Sequence, residues 1–73
     1  MSDKREKLAI ALEEEKGTRP EFNYFGEPTD FEDYDLAIHY LKTGEHPEYY
    51  NDFNLLYACI EDFEQTCADY DIN

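Results

Sequence analysis

The sequence predicts an all-α fold: a single small domain over residues 1–73, built of three helices, the last of them long and acidic. Two apolar stripes and the size of the chain carry that expectation. Phe53, Leu56, Ile60, Phe63, Cys67 and Tyr70 recur at spacings of three, four, three, four and three residues, which winds one apolar face along a helix. Phe31, Tyr34, Ile38 and Leu41 repeat at three, four and three, giving a second face to set against the first. Seventy-three residues make one domain with a small core, and seven Tyr and five Phe are too many large apolar groups for a disordered acidic tail.

The elements follow in chain order. Ser2 can cap a first helix running to about Lys16, with Leu8, Ala11 and Leu12 as a narrow apolar face and Gly17 as the stop. So narrow a stripe places this helix at the periphery. From Gly17 to Pro28 punctuation residues enclose Phe22, Tyr24 and Phe25, which reads as an ordered loop pinned by its aromatics, with a short strand at Phe22 to Phe25. Thr29 opens the second helix through a capping box with Glu32, and Gly44 ends it. Pro47 suits the first turn of the third helix, where its missing N–H costs nothing, and Glu48 complements the positive end of the dipole. That helix is expected from about Pro47 to Asp71, paired antiparallel with the second.

Charge is unevenly spread. Nineteen acids against six bases give a net charge of -13, and self-repulsion on that scale opposes compaction, so a folded domain that keeps it is expected to use it on a basic partner. Residues 1–19 hold five bases and five acids, whereas residues 20–73 hold one base, Lys42, and fourteen acids.

Several function classes find no support in the chain. It lacks an apolar run near the roughly 20 residues of a membrane span and a signal-peptide apolar region, which points to a cytoplasmic protein with no membrane partner. A conventional enzyme pocket is not expected at this size, and no Ser-His-Asp, Cys-His or Gly-rich phosphate motif appears. His39, His46, Cys59 and Cys67 lack the spacing of a zinc site, the two Cys standing about 80° apart around a helix. They are also roughly 12 Å apart along its axis, too far for an intrachain disulfide. No cofactor and no metal is expected. Asp69-Tyr70-Asp71-Ile72-Asn73 alternates like a calcium loop but lacks the central Gly and terminal Glu.

Ala37-Ile38-His39, a gap of seven residues, then Pro47-Glu48-Tyr49-Tyr50-Asn51-Asp52-Phe53 resembles the Ocr family of phage anti-restriction proteins. That family carries Ala-Ile-His, the same gap, and Pro-His-Tyr-Tyr-Ala-Asp-Ile, with upstream acids matched here by Asp30, Glu32 and Asp33. The resemblance covers about Asp30 to Phe53. It implies an all-helical, dimeric inhibitor, at work in the host cytoplasm, whose carboxylates imitate DNA phosphates and occupy the DNA site of a restriction enzyme.

The residues themselves support the same chemistry. Carboxylates three or four apart on a helix stand roughly 5 to 6 Å from each other, near the phosphate spacing of one strand, as for Glu61 with Glu64 or Asp30 with Asp33. The partner-binding set is Asp30, Glu32, Asp33, Asp35, Glu48, Asp52, Glu61, Asp62, Glu64, Asp69 and Asp71, facing a basic DNA-binding protein and no nucleic acid directly. Tyr34, Tyr49 and Tyr70 are expected in the core; Tyr24, Tyr40, Tyr50 and Tyr57 fall off the stripes and are interface candidates. The far end of the third helix, with Phe63, Cys67 and Tyr70, is expected to stay uncovered and to pair two copies as a homodimer. Two other readings stay open: an acidic module docking on a basic patch of host machinery such as RNA polymerase without imitating DNA, and a phage accessory protein with no inhibitory role.

Overall fold

In the computed structural model, which describes residues 3–72, the chain forms four helices: α1 (Lys4–Thr18), α2 (Phe31–Thr43), α3 (Asn54–Glu61) and α4 (Phe63–Asp69). The fold is all-α. Phe22 and Pro28 form a single antiparallel bridge in place of the expected strand, and Asn23 folds the loop over itself, its side-chain oxygen accepting from the Phe25 and Glu27 amides.

α1 begins at an Asp3 cap, whose carboxylate accepts from the Arg5 amide at 2.8 Å; Ser2, the expected cap, lies outside the described residues. Far from peripheral, α1 packs along α2 and places Leu8, Ala9 and Leu12 in the core. Gly17 stays within α1, which runs one residue further.

α2 is capped by Asp30, whose side chain accepts from the Asp33 amide at 3.1 Å. Thr29, the expected cap, instead donates its hydroxyl to the Pro20 carbonyl and its amide to the Glu21 carbonyl, closing the loop. Gly44 stops α2 as expected: it sits in the left-handed region at φ 82°, and its amide reaches the Tyr40 carbonyl at 2.7 Å. Arg5 donates to the same carbonyl at 2.9 Å, so a cation from α1 meets the negative end of the α2 dipole.

The long third helix is not formed. Residues 47–53 are non-helical apart from a turn in which the Phe53 amide reaches the Tyr50 carbonyl. The physical reason is Asp33. Its carboxylate accepts from the Leu55 and Leu56 amides, both at 2.9 Å, and so fixes the start of α3 from a neighbouring helix. The remaining length is interrupted at Asp62, at φ -136° and ψ 44°. There the buried Thr66 hydroxyl bonds the Asp62 carbonyl at 2.9 Å and the Ala58 carbonyl at 3.2 Å. Back-bonding of this kind bends helices, and Asp62 with Glu64 suits a fresh N-terminus.

The core is Leu8, Ala9, Leu12, Ala37, Leu41, Leu56, Cys59 and Cys67, with half-buried Phe53, Ile60, Phe63 and Tyr70 packed around it. The stripe read from the sequence therefore faces inward across the break. Its far end is not uncovered: Cys67 is 1% exposed, and the Tyr70 hydroxyl bonds Glu15 of α1. Folding at Asp62 brings α4 back over the core, so the patch expected to pair two copies is filled from within the chain.

Candidate functional site

Four of the six bases are paired with acids. Lys16 meets Asp35 at 2.5 Å, Arg19 meets Glu15 at 2.6 Å, Lys4 meets Glu64 at 3.2 Å, and Lys42 meets Glu13. Arg5 is engaged at the end of α2, which leaves Lys7 exposed and unbridged among the described residues. Exposed pairs of this kind contribute about 0 to 1 kcal/mol each, so their main effect here is on where the excess charge lies. Beyond Lys42 the chain has eight acids and no base, and only Glu64 among them is met by a lysine or arginine. The segment 44–72 is thus an almost unopposed acidic surface.

The eleven expected residues separate. Glu32, Glu48, Asp52, Asp62 and Asp71 are exposed and make no side-chain hydrogen bond or ion pair among the described residues. Glu61 is exposed and accepts from the Tyr50 hydroxyl at 2.5 Å, while Asp69 accepts from Gln65 at 3.0 Å. Asp30 caps α2, and Asp35 and Glu64 are bridged to lysines. Asp33 does not belong to the surface at all. It is 9% exposed with both oxygens bonded to α3 amides. Of the two pairs read for phosphate-like spacing, Glu61 and Glu64 lie on different helices across Asp62, and Asp33 is buried while Asp30 is exposed.

The aromatics rearrange as well. Phe22, Tyr24 and Phe25 do not pin their loop; they are 53%, 96% and 80% exposed, with Tyr24 and Phe25 packed edge to face. Tyr49 is not core either, at 64% exposed, because the segment that would have wound it inward is not helical. Three of the off-stripe tyrosines come together with His46, which the sequence marks only as lacking the spacing of a zinc site. Tyr40, His46, Tyr50 and Tyr57 form a row with centroids 5.6, 5.0 and 6.1 Å apart. The Arg5 guanidinium lies 5.3 Å from the Tyr40 centroid at one end. Off-stripe position was the signal for the tyrosines; His46 had none, since its place depends on the turn of the α2–α3 connection.

Two grooves of about 360 and 420 Å³ open beside the α1–α2 loop and between α2, α3 and α4. The larger is bordered by Glu15, Asp30, Asp33, Asp69, Tyr34 and Tyr70, without a His, Ser or Cys to act as base or nucleophile. Glu15 is tied to its wall by Tyr70 and Arg19. Burial would raise its pKa, and the bonds from Tyr70, Arg19 and Tyr34 outweigh that and hold it below the usual carboxylate range. The thiols face inward: burial pushes Cys59 up to about 12 and Cys67 in the same direction, which makes both poor nucleophiles. Among the described residues no helix is long and apolar enough to cross a membrane.

Compared with protein-family models, curated proteins and solved structures, the chain matches none.

Proposed function

We propose that the protein is a DNA-mimic inhibitor that occupies the DNA-binding site of a basic host protein, in the first instance a restriction or other phage-defence complex. The observation that carries this is the segment beyond Lys42, eight acids with no base, held on a folded scaffold instead of a tail. Magnitude supports it. The molecule extends 40 Å in its longest direction with a net charge of -13. That averages about one charge per 3 Å, close to the 3.4 Å of a single DNA strand and about half the density of a duplex. A surface so charged fits a groove that grips one strand face through Lys and Arg. The Asp30–Phe53 resemblance to the Ocr family points the same way.

A second reading, an acidic module docking on a basic patch without imitating DNA, is favoured by one feature: the protruding Phe22, Tyr24 and Phe25 have no counterpart on a phosphate backbone. Affinity capture from a bacterial lysate at low salt, followed by elution with duplex DNA, separates the two. The mimic retains DNA-binding proteins and releases them to DNA; a docking module retains a partner that DNA does not release. Retention of no DNA-binding protein at low salt overturns the mimic.

A further inference from the structure

We propose that the row of Tyr40, His46, Tyr50 and Tyr57 is an arginine-recognition surface, selecting partners whose basic groove is lined by arginine over those lined by lysine. This rests on the basic-partner reading above and adds the chemistry of the cation.

One end of the row already shows the interaction. The Arg5 guanidinium carbon lies 5.3 Å from the Tyr40 centroid while its Nη2 donates to the Tyr40 carbonyl at 2.9 Å. From Tyr40 the rings continue through His46 and Tyr50 to Tyr57, the first two steps edge to face at 67° and 80° and the last tilted at 45°. A terminal ring has an aromatic neighbour on one side only, and Tyr57 is 45% exposed. Glu61 follows it by four residues on α3, one turn along the same face. One Glu61 oxygen, Oε1, holds the Tyr50 hydroxyl at 2.5 Å, which leaves Oε2 to accept. That bond also raises the Tyr50 pKa, keeping its hydroxyl a donor.

A cation seated on Tyr57 thus meets a ring and a carboxylate oxygen together. Arginine suits this arrangement better than lysine. Its guanidinium is planar and weakly hydrated, so it stacks on a ring while its fork donates sideways to a carboxylate; an ammonium is a strongly hydrated point charge. The Glu48 and Asp52 carboxylates of the connection and Glu61 supply the field that draws either cation; the rings supply the difference between them.

The test compares nona-arginine with nona-lysine on the intact chain at low salt. The expected result is tighter binding of nona-arginine by about two- to fivefold per ring engaged, with upfield ring-current shifts on its side-chain protons. Tyr57→Leu, shown to be folded by circular dichroism, should reduce the preference while leaving nona-lysine affinity unchanged, and Tyr57→Phe, which keeps the ring, should retain it. Equal affinities in the parent protein, or a preference that Tyr57→Leu leaves whole, overturn the arginine surface and leave the basic-partner reading standing. Failure of both peptides to bind overturns both.

Discussion

Asp33 reads in the sequence as one more charge in an acidic helix, and the structure gives it a different task. Its two oxygens satisfy two of the four amides that a helix start leaves without partners, at the positive end of the α3 dipole. Removing it orphans both amides next to the core, so Asp33→Ala is expected to cost about 1 to 3 kcal/mol in urea unfolding. Glu32→Ala beside it should stay within about 0.5 kcal/mol, as an exposed residue does. Glu15 makes a pH-dependent contribution through its bonds to Tyr70 and Arg19. Its folded pKa is depressed from 4.5. The stability it provides is therefore present above that value and is lost as pH falls through the lower folded value. The difference in urea midpoint between the parent and Glu15→Gln should narrow as pH is lowered from 6 to about 3; a constant difference would show that the contact is one of packing alone.

At the scale of elements, the stripes and the stop at Gly44 were legible, whereas Gly17, read as a stop, lies within α1 and the helix starts were misplaced. Gly44 announces the end of α2 because only the left-handed region completes that cap, and Gly44→Ala is expected to cost about 1 to 2 kcal/mol in unfolding experiments. The penalty is one of backbone, since a Cβ there would meet the Arg5 guanidinium at 3.6 Å, an ordinary contact. Leu56 and Cys67 could be read as inward from spacing and lie in the core; Cys59, off that stripe, lies there as well. The break at Asp62 could not, because neither Pro nor Gly marks it and a one-residue interruption leaves the apolar rhythm almost undisturbed. Nor could the start of α3 at Asn54, where Pro47 gave a good local signal that a carboxylate 22 residues from Leu55 overrides. The same long-range bond removed Asp33 from the candidate surface. Single-sequence periodicity sees neighbours within a turn or two and is blind to a cap supplied from another helix.

On the whole molecule, charge sets the terms. A net charge of -13 on 73 residues is a standing repulsion that the small core must overcome. Raising salt from about 10 to 300 mM shortens the screening length from about 30 Å to well under 10 Å, and the melting temperature should rise with it. Binding to a basic partner should weaken over the same range, because ion pairs to the partner are screened as well. Opposite responses of stability and affinity to one variable are the signature of charge kept for a partner. The most direct measurement of the central claim is a titration of the captured partner with this protein at increasing concentrations of duplex DNA. Occupation of the DNA site predicts an apparent affinity that falls in proportion to the DNA added, with no complex containing all three. An affinity unmoved by saturating DNA would contradict it.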